Sequence, residues 1–197
     1  MMTLTWIAAG LVLVTSAGLL VSRDWRVELG LLGAQYIGVF WLINQHWPVN
    51  MATIKLVTGW MAIATLGITR LGLKELDDES REILWSQGIL FRLFASGVVT
   101  LIVIVFAPRV ESIIPGIGVH VTSGSLILLT LGVLHLGMTA QPFRVILGLL
   151  TALSGFEVLY AALESSVLVT AMLSAVNLGL ALVGAYLMSA SKAEESV

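Results

Sequence analysis

Two side chains in this sequence stand where an ionisable group is expensive. Glu157 lies inside the stretch Pro142 to Glu164, which reads PFRVILGLLTALSGFEVLYAALE, and Lys55 lies just inside another apolar run. A charged group in hydrocarbon costs at least a few kcal/mol, so its presence points to an ion path, a proton relay or a counter-ion. Glu157 comes thirteen residues after Arg144, about 20 Å along a helix, which places it in the outer half of a bilayer. Lys55 enters from the opposite direction, five residues past Asn50, and reaches a similar depth. The two can pair, or each can meet a polar partner on another subunit. Either arrangement lowers the burial cost and lets a proton be exchanged. The competing readings are a Lys55 side chain that snorkels to the interface and a Glu157 held as a protonated carboxyl between helices.

Arg92, Tyr36, Asn177 and His135 complete the candidate relay set, and Gln35, Ser154 and Tyr160 lie at intermediate depths where they could hold ordered water. Arg92 either anchors at the cytoplasmic face or pairs with an acidic residue of a neighbour. Glu28, close to Arg26, reads as interfacial. Isolated polar residues of this kind also serve as helix-packing hydrogen bonds, worth about 0.6 kcal/mol each. His120 and His135 fall near opposite ends of one helix, and His46 near the same face as His120, so no two histidines share a depth suited to a bis-histidine haem. With no cysteine in the chain, thiolate-held clusters, disulfides and cysteine nucleophiles are excluded. No nucleophile constellation, phosphate loop or cluster ligand set occurs, which argues against a hydrolase, a nucleic-acid binder or a redox enzyme in its own right. No cofactor and no metal is expected.

These residues need membrane helices to position them. Hydrophobic residues make up 58% of the chain and charged residues 11%, against about a quarter charged in soluble domains, and the mean hydropathy is +1.00. The pattern predicts an all-α, polytopic helix bundle of about seven spans. The helices are expected over about Leu4 to Val21, Val27 to Asn44, Met51 to Thr69, Ile83 to Ala107, Val119 to Met138, Pro142 to Glu164 and Val167 to Met188, followed by the polar tail SKAEESV. The first lacks a basic flank and a cleavage site, so it reads as a retained helix. Extending the fourth back to Ile83 draws Gln87 and Arg92 toward hydrocarbon, and Pro108, Pro115, Gly116 and Gly118 are expected to break the chain into a loop after Ala107. The acidic run Glu75, Asp77, Asp78 and Glu79 reads as a surface segment. Gly33, Gly38, Gly148, Ala152 and Gly155 mark faces of close helix approach. Arg23, Arg26, Arg70, Lys74, Arg81, Arg144 and Lys192 fall on one side and Arg109 alone on the other. That bias places the N-terminus outside and the C-terminus in the cytoplasm.

An internal repeat is legible too. Trp25 to Leu32 reads WRVELGLL and Phe143 to Leu150 reads FRVILGLL. Aligning Arg26 with Arg144 superposes the first three helices on the last three, all entering from the same side, as parallel repeats rather than inverted ones. The implied division is residues 1–70 for one three-helix repeat, 71–118 for the acidic segment and connecting helix, and 119–197 for the second repeat and tail.

The second half resembles the smallest, three-helix membrane subunit of respiratory complex I, through Gly155, Phe156 and Glu157 and the apolar run Leu178, Gly179, Leu180, Ala181, Leu182. The whole chain is similar to component E of hydrogenase-4 type complexes, with AGLVLVTSAGLLVSRDWRVELG resembling that family's N-terminus and Ile54-Lys55 in the place of its intramembrane lysine. The resemblance implies a non-catalytic subunit beside antiporter-like subunits, with Glu157 as relay carboxylate and Lys55 as relay lysine, moving protons or sodium ions. The chain departs from the complex I pattern at a second acidic residue on the last helix, where Ala175 stands with Asn177 nearby. A pure assembly subunit and a free-standing small transporter are the alternatives.

Overall fold

A bilayer leaves no water to satisfy the backbone, so each apolar run must close its hydrogen bonds internally as a helix. The computed structural model describes residues 2–73, 86–114 and 116–195, in seven helices: α1 (Met2–Val21), α2 (Trp25–Ile43), α3 (Val49–Gly72), α4 (Ser86–Ile113), α5 (Val119–Gly137), α6 (Pro142–Leu163) and α7 (Val167–Glu195). Each holds a stretch long and apolar enough to cross a membrane, and no strand occurs among the described residues. The chain is an integral membrane helix bundle, as its composition predicts.

The breaks have local causes. Asp24 caps α2 by accepting the Arg26 amide at 3.0 Å. Pro142 opens α6 in the first turn, where its missing N–H costs nothing. Between α4 and α5, Gly116 and Gly118 adopt φ of 105° and 86°, a region that glycine alone enters cheaply.

Three helices depart furthest from expectation. α4 runs straight through Pro108 to Ile113 instead of ending at Ala107; the proline forfeits one backbone bond, a loss that membrane helices tolerate. α3 starts at Val49 and reaches Gly72, and α7 continues past Met188 to Glu195. Lys74, Glu75, Asp77, Asp78, Glu79, Arg81 and the expected helix start at Ile83 lie outside the described residues, as does the side chain of Gln87.

The packing is a ladder. α1 packs on α5, α2 on α6 and α3 on α7, while α1–α2–α3 and α5–α6–α7 form the two rails, and α4 covers the α1–α5 end. Each rung joins helices that sit at the same place in the aligned halves. α1, α2, α5 and α6 are the most buried helices, and α4 has an almost wholly apolar outer surface. α5 and α6 touch backbone to backbone: a Cβ on Gly155 would stand 2.6 Å from the Leu129 nitrogen, and one on Gly132 2.5 Å from the Ala152 nitrogen. Gly38 and Gly148 also lie against neighbouring helices, whereas Gly33 meets only Ile63 at an ordinary 3.8 Å. Arg23, Arg26, Arg70 and Arg144 cluster at one end of the bundle, called the basic face below.

Candidate functional site

Lys55 on α3 and Glu157 on α6 form an ion pair through Nζ and Oε2, and both residues are only 3% exposed. Lys55 therefore does not snorkel. Both sit about six residues, or roughly 9 Å, in from the helix ends opposite the basic face. The second carboxylate oxygen, Oε1, accepts from Asn177 Nδ2 on α7 at 2.7 Å, and the same amide nitrogen donates to the Leu173 carbonyl at 3.1 Å. Tyr36 on α2 donates its hydroxyl to Asn177 Oδ1 at 3.4 Å, and Ser154 lies within hydrogen-bonding reach of that hydroxyl. The Lys55 ammonium stands 5.4 Å from the centre of the Tyr36 ring, inside cation–π range. The ring reaches this place because α3 presents Gly59 to it; any Cβ there would overlap the ring carbons.

Four helices thus converge on one carboxylate. In this low-dielectric setting the ion pair attracts strongly, yet a single proton passed from Nζ to Oε2 turns both partners neutral. Asn177 remains a donor to Glu157 in either state. On the side away from the basic face, a small cavity with room for about one water touches Lys55 and Glu157 and is walled by Trp47, Thr170 and Ser174. Trp47 closes it by donating its indole N–H to the Glu164 carbonyl at 2.9 Å, and the buried Ser174 hydroxyl has no partner.

Of the six expected relay residues, Glu157, Lys55, Tyr36 and Asn177 meet here. Arg92 and His135 do not: they lie near the basic face within electrostatic reach of Arg144. Arg92 Nη1 donates to the Leu20 carbonyl at 3.0 Å, an anchor at the helix end, and His135 is buried at 4% exposure on α5. Tyr160 packs with Trp47 and Phe156 instead of joining the cluster. Ala175 lies on the exposed flank of α7, while Asn177 is fully buried.

Glu28 corrects the sequence reading. It is 1% exposed and pairs with Arg144 Nη2 at 2.7 Å, and the same nitrogen donates to the Ser22 carbonyl at 2.8 Å. Arg26, two residues earlier, cannot face the same way on a helix; its guanidinium lies over the Trp25 ring, 5.3 Å from the centroid. The signal was present in the sequence as an acidic and a basic residue, each within a turn of the start of its own helix.

His46 and His120 share the face opposite the basic one. His120 lies 6.0 Å from the Trp6 ring. Partial burial pushes His46 below its ordinary value, an effect opposed by the Gly116 and Ile117 carbonyls and reinforced by His120. Among the described residues no group of three His, Asp or Glu side chains could hold a metal ion. Compared with known proteins, the chain matches no family model, no curated protein and no solved structure.

Proposed function

We propose that this chain is a membrane subunit of an ion-translocating assembly of the complex I or hydrogenase-4 kind, supplying helix scaffold and part of a proton or sodium relay. The observation that carries the reading is the buried Lys55–Glu157 pair with Asn177 and Tyr36 on it. Lipid strongly disfavours such groups, and the pair can change its charge state by moving one proton. The local sequence resemblances around Glu157 and Lys55 support the same reading and suggest antiporter-like neighbours. In this arrangement the two three-helix halves are parallel repeats, the basic face is cytoplasmic and the C-terminus lies on that side.

The test is ion flux in the native assembly. The chain is purified with its co-purifying partners, reconstituted in liposomes and driven by a potassium diffusion potential with valinomycin, with an internal pH dye as readout. Glu157→Gln and Lys55→Ala should each cut proton flux on the order of a hundredfold, the scale of one missing acid–base group. Unchanged flux would remove the relay role. A scaffold reading has its own support, since the pair bridges helices of the two rails; it requires the double variant to lose partners on native electrophoresis while any assembled fraction conducts normally. Flux from the chain alone would point to a free-standing transporter.

A further inference from the structure

α2 and α6 start at the same face, run parallel and pack on each other. Each carries a buried polar stripe at helical spacing. On α2 the stripe is Glu28, Gln35 and Tyr36; on α6 it is Thr151, Ser154 and Glu157, begun by the half-buried Arg144. Glu28 and Arg144 are joined directly. Gln35 and Thr151 each lie seven residues, two turns, beyond that pair, so they share its face and one depth, about 10 Å deeper in the membrane. Gln35 is 1% exposed and Thr151 2% exposed, and neither the Gln35 amide atoms nor the Thr151 hydroxyl has a hydrogen-bond partner among the described residues. On the neighbouring α1 the buried Ser16 hydroxyl is likewise unpartnered. Leaving such groups dry is costly, and a cluster of them is the setting in which buried water is held.

We propose that Glu28 is a second charge-carrying station, joined to Glu157 by water held between Gln35 and Thr151, so that the α2–α6 seam is the path from the basic face to the Lys55 site. It rests on the reading that charge crosses at Lys55–Glu157. A proton arriving from the basic face binds the Glu28 carboxylate and breaks its ion pair. Arg144 stays charged, because a guanidinium does not give up its proton, and it keeps its bond to the Ser22 carbonyl. The proton then leaves Glu28 through the water to the Glu157 carboxylate, restoring the first pair and releasing the Lys55 ammonium from the second. One proton is taken up and one passed on, and no other bond changes. The charged groups facing Glu28 are Arg144 on α6, Arg70 on α3 and Arg92 on α4; all are permanent cations, and the titratable His135 on α5 lies within electrostatic reach of Arg144 and Arg92.

Two measurements test this. In the co-purified assembly, Glu28→Gln should cut dye-reported proton flux on the order of a hundredfold, and Glu28→Gln combined with Arg144→Gln should stay as low, since it removes the stranded cation but restores no titratable group. Wild-type flux in that double variant would show that Glu28 merely neutralises Arg144 and would overturn the proposal. If the double variant conducts normally while Glu157→Gln does not, only this inference fails; if Glu157→Gln conducts normally, the proposed function fails and takes the inference with it. Hydroxyl-radical footprinting of the full chain in lipid nanodiscs reads the water without any variant. Tyr36, 1% exposed, should be oxidised faster than the equally buried Val39 and Leu42 once each rate is divided by the intrinsic reactivity of its side-chain type; a Tyr36 protected as well as they are would also overturn it.

Discussion

Among the described residues, two ion pairs stand one near each face of the bundle, and they are built differently. Lys55 and Glu157 are both withdrawn from the surface, with side chains 4% exposed on each side, whereas the Arg144 side chain retains 13% exposure against 2% for Glu28. Arg144 is also pinned to the Ser22 carbonyl, while the Lys55 ammonium has the carboxylate and the face of Tyr36. Arginine offers a planar fork that cannot deprotonate; lysine is a compact charge on a flexible stem whose protonation responds to burial. The pair at the basic face is therefore a fixed cation with one switchable partner, and the deeper pair has two. The choice of cation, more than the presence of a carboxylate, decides whether one partner of a buried pair or both can change charge.

The largest break in this comparison comes from removing one member of the deeper pair. Lys55→Ala strands a buried carboxylate and should destabilise the protein by about 3–5 kcal/mol, whereas Lys55→Met together with Glu157→Leu should be near neutral; steric-trapping unfolding in bicelles measures both. At the basic face, Arg144→Lys keeps the charge but loses the fork that serves Glu28 and Ser22 at once, and should cost about 1.5–3 kcal/mol in the same assay. If Arg144→Lys proved neutral, the structural distinction between the two pairs would fail. Tyr36→Phe removes the hydroxyl that reaches Asn177, at about 0.6 kcal/mol, and should change flux more than stability.

The smallest effect belongs to the loop above the deeper pair. Burial makes His46 harder to protonate in the fold, while the unfolded chain takes up a proton below the ordinary value of 6.5. The unfolded state then binds more protons, so stability falls as pH drops below that value and is unaffected well above it. His46→Gln should flatten this slope in melting curves taken between neutral and mildly acidic pH, leaving the basic face unaltered.

Much of the architecture was legible along the chain, because hydrocarbon imposes one rule on every span and that rule writes itself into composition. The expected helix starts at Val119, Pro142 and Val167 coincide with the observed ones, and Glu157, Lys55, Tyr36 and Asn177 were singled out by type and depth. Pro108 misled, since a residue that breaks soluble helices was weighed without the bilayer's demand for continuity. Glu28 misled for another reason: its neighbour in sequence, Arg26, is not its neighbour in space.

Sequence alone determined that the chain crosses a membrane, in how many helices, and which costly side chains it carries into hydrocarbon, because burial depth follows from residue count along a helix. Tertiary structure decided which of those side chains meet. Pairing Lys55 with Glu157, Glu28 with Arg144 and leaving Arg92 and His135 apart depends on how each helix is rotated and on which helix it packs against. Those are set by contacts such as Gly155 on Leu129 and Gly59 under Tyr36, between residues far apart in the chain.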